Sequence, residues 1–381
     1  MTIRPRSVRR GIGFTGLALA GALTLAACGS DDNSSGDDKK SSTKAASAPG
    51  AEAPKGDCGT GKLAAAGSSA QKNAMDEWIK AYQAKCSGAS IDYASSGSGT
   101  GRQSFFDKQV TFAGSDSALK PEEVAKAGAA CAPGQAINLP MVTGPIAIAY
   151  NVSGVKDLVL DAKTIAGIFA GKITKWDAAE IKALNPNAQL PGTAIQTVHR
   201  SEASGTTENF TKYLKAAAGA DWTFDAAQDW KAPGGQGAKG SEGVASIVKS
   251  TQGGISYMEQ SYAENSGLGI AQINTGAAAP VKLTPEAAGK AVEAAKIVGT
   301  GNDLKLSVDY ATKAEGAYPI ILVTYEIVCE KGTAADKLPL LKSFLNYTSS
   351  AEGQKVLAGI GYAPLPTTVA DKVRAAVAGL S

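Results

Sequence analysis

HRSEASGTTENF, residues 199–210, is the stretch whose reading decides the fold. An apolar run over 193–198 delivers the chain to His199. Arg200 and Glu202 follow, then the small-residue turn Ala203-Ser204-Gly205-Thr206, and then Phe210, Tyr213 and Leu214 on one helical face. A strand that ends in a Ser/Gly turn opening a helix builds an anion seat. The helix start presents unpaired N–H groups, hydroxyls add donors, and glycine lets the backbone approach closely. An arginine beside such a seat offers a planar fork suited to a tetrahedral oxyanion. Taken alone, the stretch fits equally well a plain capped helix with Arg200 paired to Glu202.

The same device occurs three times upstream. Residues 62–66 read as a strand into Gly67-Ser68-Ser69, residues 90–94 as a strand into the turn 95–101, and residues 110–113 as a strand into Gly114-Ser115-Asp116-Ser117. Helices are expected after each: one with Ala74, Met75, Trp78, Ile79 and Tyr82 as its core face, a short one over 104–108, and one opened by Pro121. Alternating strands and helices make an α/β fold. In open sheets of this kind, ligands collect beyond the carboxyl ends of the strands. Four hydroxyl-rich turns, with one acid and one arginine among them, point to a composite site.

Residues 1–28 are expected to lie outside the fold. Arg4, Arg6, Arg9 and Arg10 form a basic n-region, 11–27 is apolar, and Leu25-Ala26-Ala27-Cys28 places small residues directly before a cysteine. This is the pattern of a bacterial lipoprotein signal, in which Cys28 is lipidated and becomes the mature N-terminus; an ordinary signal peptide with an incidental cysteine is the alternative. The apolar run is short for a permanent membrane span. Residues 29–57 contain no large apolar side chain and read as a flexible tether. The formal charge of the whole chain is +3, but four of its arginines lie in the leader, so the remainder carries about −1. That balance, with no basic stripe interleaved with aromatics, gives no footprint for nucleic acid. Past the leader only Arg102, Arg200 and Arg374 accompany 31 lysines.

Four cysteines follow Cys28, and an even number in an oxidising compartment suggests two disulfides with three possible connectivities. Cys58–Cys86 and Cys131–Cys329 are expected, since Cys58 precedes the first strand and Cys86 ends the helix leading to the second. Four buried thiols are the alternative. The spacing does not suggest zinc, and the single histidine, His199, cannot complete a typical metal site.

From Cys58 on there are 324 residues, too many for one small core and suited to two α/β lobes. Two apolar runs within 136–151, punctuated by Pro140 and Pro145, read as one crossing between lobes. A β-rich run over 317–328 with Pro319 reads as the second. Between them, 158–176 and 181–184 read as helical, 223–243 as irregular, 241–249 and 285–296 as helices, and 254–258 as a strand. Helices over 334–346 and 351–358 close the chain. The expected layout is lobe I from 58–143 plus 318–381, lobe II from 144–317, and a cleft between them.

Five blocks in order carry a resemblance: YASSGSGTG (93–101), GSD (114–116), IAGIFAGKITKW (165–176), HRSEASGTTENFTKYL (199–214), and GAKGSEGVASIV with GGISYMEQSYA (237–263). The sequence from about Lys62 to the C-terminus resembles the phosphate-binding protein (PstS) family of bacterial high-affinity phosphate ABC transporters. With the lipoprotein leader and four further cysteines it suggests a Gram-positive, actinobacterial relative. The resemblance implies a two-lobed periplasmic-binding-protein fold of type II, phosphate as ligand with no cofactor, ABC permease subunits and their ATPase as partners, a monomer, and no enzymatic activity. Carried over by position, the anion contacts fall on Ser68, Ser69, Ala70, Ser98, Asp116, Arg200, Ser204, Gly205 and Thr206, with Glu202 bracing Arg200. Two departures stand out. The best-known members have Thr-Phe where this chain has Ser69-Ala70, which leaves Ala70 only a backbone N–H. The acid two places after the arginine is usually Asp, and here it is Glu202.

Asp116 is the informative residue, because a carboxylate suits an anion site only if the anion carries a proton. Protonated phosphate can donate to Asp116, whereas sulfate would bring two acceptors into contact. The plainer role for Asp116 is a helix cap or a lysine partner. Three further functions compete. An exported phosphatase or serine hydrolase would use Ser98 or Ser204 as nucleophile, with His199 as the one candidate base. A relative specific for another oxyanion would need no protonated ligand, and a surface adhesin would need no anion turns.

Overall fold

The computed structural model describes residues 58–381. The leader, Cys28 and the 29–57 tether lie outside the described residues. Thirteen strands are formed among those described: β1 (Gly61–Gly67), β2 (Ala89–Ser95), β3 (Phe112–Ser115), β4 (Ala136–Asn151), β5 (Val159–Asp161), β6 (Gln196–Arg200), β7 (Gln236–Ala238), β8 (Gly254–Glu259), β9 (Gly269–Ile270), β10 (Gln272–Asn274), β11 (Lys296–Ile297), β12 (Leu306–Ser307) and β13 (Ile321–Cys329). Nine of them make one sheet in the order β2-β1-β3-β13-β4-β8-β6-β7, with β9 added against β4.

The two ends of this sheet are parallel and its middle is antiparallel. β1 pairs in parallel with β2 and β3, and β6 with β8 and β7. Parallel neighbours need a crossover, which helices supply. Helix Lys72–Lys85 joins β1 to β2 and buries Ala74, Met75, Trp78 and Tyr82. Helix Ser98–Phe106 joins β2 to β3. It starts six residues earlier than the sequence suggests, because Gly97 turns the chain at a φ of +93°, a conformation that favours glycine.

β4 runs through the middle. Its 16 residues are buried except at the two ends. Residues 136–145 pair with β13, and 146–151 pair with β8. The two apolar runs expected here are therefore one strand. Pro140 is accommodated by a bulge: Thr324 partners Val142 and Tyr325 partners Pro140, which leaves Met141 unopposed.

Two large apolar clusters flank the sheet. Leu63, Trp78, Phe112, Phe344 and Tyr362 belong to one, and Ile148, Trp176, Phe210 and Tyr257 to the other. Each fully buried large side chain contributes roughly 1.5–3 kcal/mol. The disulfides Cys58–Cys86 and Cys131–Cys329 are both formed, with sulfurs 2.04 and 2.00 Å apart.

Two expectations need correction. Residues 158–176 are not one helical stretch. Leu158 is followed by β5, and the helix runs from Ala162 to Phe169. Asp161 sets the boundary by accepting a hydrogen bond from the Thr164 N–H at 2.7 Å. A further helix, Thr367–Ala378, packs Val373, Ala376 and Val377 into the first cluster; the sequence reading stopped short of it.

Candidate anion-binding site

The first three turns are locked to one another by backbone. A Cβ at Gly67 would lie 1.9 Å from the Gly114 carbonyl oxygen, so β1 can approach β3 this closely only with glycine at 67. There the Ser68 N–H donates to that same carbonyl at 2.8 Å. Ser96 and Gly97 donate their N–H groups to the Gly67 carbonyl, which brings the start of helix Ser98–Phe106 alongside. The Asp116 N–H then donates to Ser98 Oγ at 3.1 Å. Ser68, Ser98 and Asp116 are thus gathered at the carboxyl ends of β1, β2 and β3.

The fourth turn closes on them. Ser204 caps helix Gly205–Ala217, its Oγ accepting from the Thr207 N–H at 3.2 Å. Gly205 sits against the first turns, where a Cβ would lie 2.6 Å from Asp116 Cβ and 2.7 Å from Ser98 Oγ. Thr206 Oγ1 donates to Asp116 Oδ2 at 3.2 Å, and Asn209 donates to the Asp116 carbonyl at 2.7 Å. On its other side Asp116 Oδ1 accepts from Thr324 Oγ1 at 2.9 Å.

Asp116 is 3% exposed. Burial raises its pKa, while the hydroxyls of Ser68, Thr324 and Thr206 and the positive charge of Arg200 oppose the rise. The Arg200 charge acts on Asp116, so both belong to one electrostatic site. Arg200 is itself 3% exposed. Its Nε donates to Glu202 Oε1 at 2.8 Å, and its Nη2 donates to the same oxygen. The structural pair considered for Arg200 therefore exists. Glu202 Oε1 also accepts from the Gly240 N–H at 3.0 Å. Burial alone would raise the Glu202 pKa, but the Arg200 hydrogen bond and charge and the Gly240 N–H outweigh it and leave it lowered. Glu202 is ionised and holds the guanidinium plane in place.

Ser69 and Ala70 are placed differently from the rest. Ser69 Oγ is 3.0 Å from Ser241 Oγ and accepts from the Ser241 N–H at 3.0 Å, so it meets the start of helix Gly240–Ser250. The Ala70 N–H donates to Ser68 Oγ at 3.1 Å, and its carbonyl accepts from the Tyr362 hydroxyl at 2.5 Å. The backbone donor expected of Ala70 is occupied here by Ser68.

A model of the PBP superfamily domain matches residues 45–352 of this chain. Phosphate-binding protein PstS 3 of Mycobacterium tuberculosis is 41% identical over 366 residues, covering 95% of this chain and 96% of that protein. The chain belongs to the phosphate-binding protein PstS family. PstS of Xylella fastidiosa is 31% identical over 95% of this chain and 96% of its own length. The fold is that of a solved periplasmic phosphate-binding protein, PfluDING, with a TM-score of 0.70 over 83% of this chain and 93% of that one, at 23% identity.

Against the PstS background, several residues around the turns were not anticipated. Thr324 and Glu326 interrupt the apolar run of β13, and that interruption was the available signal. Ser241 sits in another Ser/Gly helix start, KGSEG. The Tyr257 hydroxyl accepts from the Arg200 N–H at 3.2 Å and lies 2.7 Å from Thr207 Oγ1. Arg102 directly follows the turn 95–101. It is fully engaged, donating to Ser115 Oγ, Gln228 Oε1 and Glu123 Oε1 at 2.9, 2.8 and 3.0 Å.

His199 stacks on Trp230 with ring centroids 5.2 Å apart, and its Nδ1 lies 2.9 Å from the Arg200 carbonyl. Ser98 Oγ and Ser204 Oγ instead take backbone N–H groups. Nothing in this arrangement pairs a serine with a base.

Proposed function

We propose that this chain binds inorganic phosphate at the seat formed by Ser68, Ser69, Ser98, Asp116, Arg200, Ser204, Gly205 and Thr206, with the Ala70 N–H bracing Ser68 from behind, and hands it to an ABC permease at the outer face of the cell membrane. The observation that carries the assignment is Asp116: a buried carboxylate set among hydroxyl and N–H donors, within the field of a buried arginine. A buried anion is costly unless each oxygen is paired. Three Ser/Gly turns, the start of helix Gly205–Ala217 and the Arg200 fork supply the donors. Asp116 supplies the one acceptor and receives the hydrogen bond of the proton that phosphate still carries. No cofactor is involved, because the ligand is cargo.

The turns at Ser68, Ser98 and Asp116 follow β1–β3, and those at Arg200 and Ser204 follow β6. In the proposed two-lobed arrangement, 58–143 with 318–381 and 144–317 are joined through β4 and β13 and swing together on the ligand. In this reading Thr206–Asp116, Ser69–Ser241 and Arg102–Gln228 are contacts of the closed form. Lipid attachment at Cys28 would keep the protein beside its permease.

Titration calorimetry on the leader-free protein, stripped of bound anion, tests the assignment. Phosphate and arsenate, both protonated near neutral pH, are expected to bind and to compete, and sulfate to bind orders of magnitude more weakly. Comparable binding of sulfate would overturn the role given to Asp116. Replacing Cys28 with Ala is expected to release the protein into the medium.

A further inference from the structure

Glu326 lies on β13 two residues beyond Thr324, so the two side chains leave the same face of the strand. Its register partners are Gly114 on β3 and Leu139 on β4. It is 1% exposed, and neither carboxyl oxygen has a hydrogen-bond partner of normal geometry. The groups acting on it are the Gln71 amide, just past the Ser68-Ser69-Ala70 turn, the Asp116 charge, and Tyr93 from β2. Gln71 Nε2 donates to the Tyr93 hydroxyl at 2.9 Å, and that hydroxyl donates to the Ser68 carbonyl at 2.9 Å. The phenolic proton is therefore committed, and Gln71 Oε1 is left buried without a donor. In this dry corner the Gln71 amide is the one donor near the two Glu326 oxygens and Gln71 Oε1 has none, so three acceptor oxygens call for one more proton. A protonated Glu326 supplies it.

We propose that Glu326 is a positioning residue of the phosphate site: a neutral acid that holds Gln71, and through Tyr93 the Ser68 carbonyl, and whose ionisation places a second negative charge behind Asp116 and weakens phosphate binding. The inference rests on phosphate occupying the Asp116–Arg200 seat. Burial pushes the Glu326 pKa up to about 8; the Gln71 amide opposes the rise and the Asp116 charge adds to it. Tyr93 is driven well above its ordinary range by burial and stays neutral. Leu139 on the β4 side is apolar, and no lysine, arginine or histidine among the described residues hydrogen-bonds Glu326.

Phosphate is titrated calorimetrically into the wild type, Glu326→Gln and Glu326→Leu from pH 6.5 to 9. Ionisation of phosphate itself is common to all three and cancels in their ratios. Glu326→Gln is expected to bind within about threefold of wild type at pH 7, and by pH 9 to have lost about tenfold less affinity than wild type. Glu326→Leu, neutral but with no donor, is expected to bind about tenfold more weakly than Glu326→Gln across the range. Parallel pH profiles for wild type and Glu326→Gln, or wild-type affinity in Glu326→Leu, would overturn the proposal. Infrared difference spectra cover the case of a misfolded Leu variant. A carboxylic-acid C=O band present in wild type at pH 7 and missing in Glu326→Gln is expected, and equal spectra would overturn the neutral acid. Unchanged phosphate binding in Asp116→Asn and Arg200→Ala would instead show that the seat is elsewhere, a result the infrared comparison does not depend on.

Discussion

At the scale of single residues the proposed site turns on Asp116. Thr324 and Thr206 each donate to one of its carboxylate oxygens, which fixes the plane of the carboxylate. Asp116→Asn removes the charge and turns one oxygen into a donor. Phosphate affinity is expected to fall at least about tenfold and sulfate affinity to rise; calorimetry that finds neither change would count against proton reading. Gly205 is constrained by shape instead. A methyl there meets Asp116 Cβ at 2.6 Å and Ser98 Oγ at 2.7 Å. Gly205→Ala is expected to cost about 1–3 kcal/mol of stability and to weaken phosphate binding in the same titration. Both residues were legible in the sequence, because an acid in a Ser/Gly turn and a glycine at a helix start are local patterns. Thr324 was not, since its partner lies 208 positions away.

Element boundaries follow caps more than apolar spacing. The pattern Leu158, Leu160, Ile165, Ile168, Phe169 resembles a helical stripe, yet its first part is β5 paired with β10. The Asp161 side chain satisfies the Thr164 N–H and starts the helix there. Asp161→Ala is expected to lower unfolding free energy by about 1 kcal/mol, read as a shift of the urea midpoint with an unchanged slope. β4 shows the opposite error. Prolines at 140 and 145 argue for breaks, but the bulge at Met141 keeps the ladder continuous. Whether a proline interrupts a strand depends on what the neighbouring strand does opposite it, and β13 lies far away in sequence.

Taken as a whole, the fold buries two carboxyls that stay protonated near neutral pH. Glu259 and Glu326 are each raised to about 8 by burial, from an ordinary value near 4.5. Between those limits the unfolded chain has lost protons that the folded chain keeps, so stability falls as pH rises. The penalty is absent below about pH 4.5 and complete above about pH 8. Urea melts of the apo protein are expected to show less stability at about pH 8.5 than at about pH 5.5, with a smaller difference in Glu326→Gln. Equal stability at the two pH values would contradict this. The disulfides act at the same scale. Cys131–Cys329 closes 198 residues and Cys58–Cys86 only 28. The chain-entropy model puts their contributions at roughly 5 and 4 kcal/mol. Replacing Cys131 and Cys329 with Ala is expected to lower the Tm more than the same change at Cys58 and Cys86.

By itself the sequence determined the α/β alternation and the Ser/Gly turns, which follow from neighbours a few residues apart, and the scarcity of arginine and the even number of cysteines past the leader, which are matters of composition. Only the tertiary structure decided that Ser69 meets Ser241, that Thr324 holds Asp116, that β4 is one strand, and that Glu326 lies buried beside Gln71. Those facts depend on which distant strands become neighbours in the sheet, and hydrogen bonding and desolvation act on spatial neighbours wherever they lie along the chain.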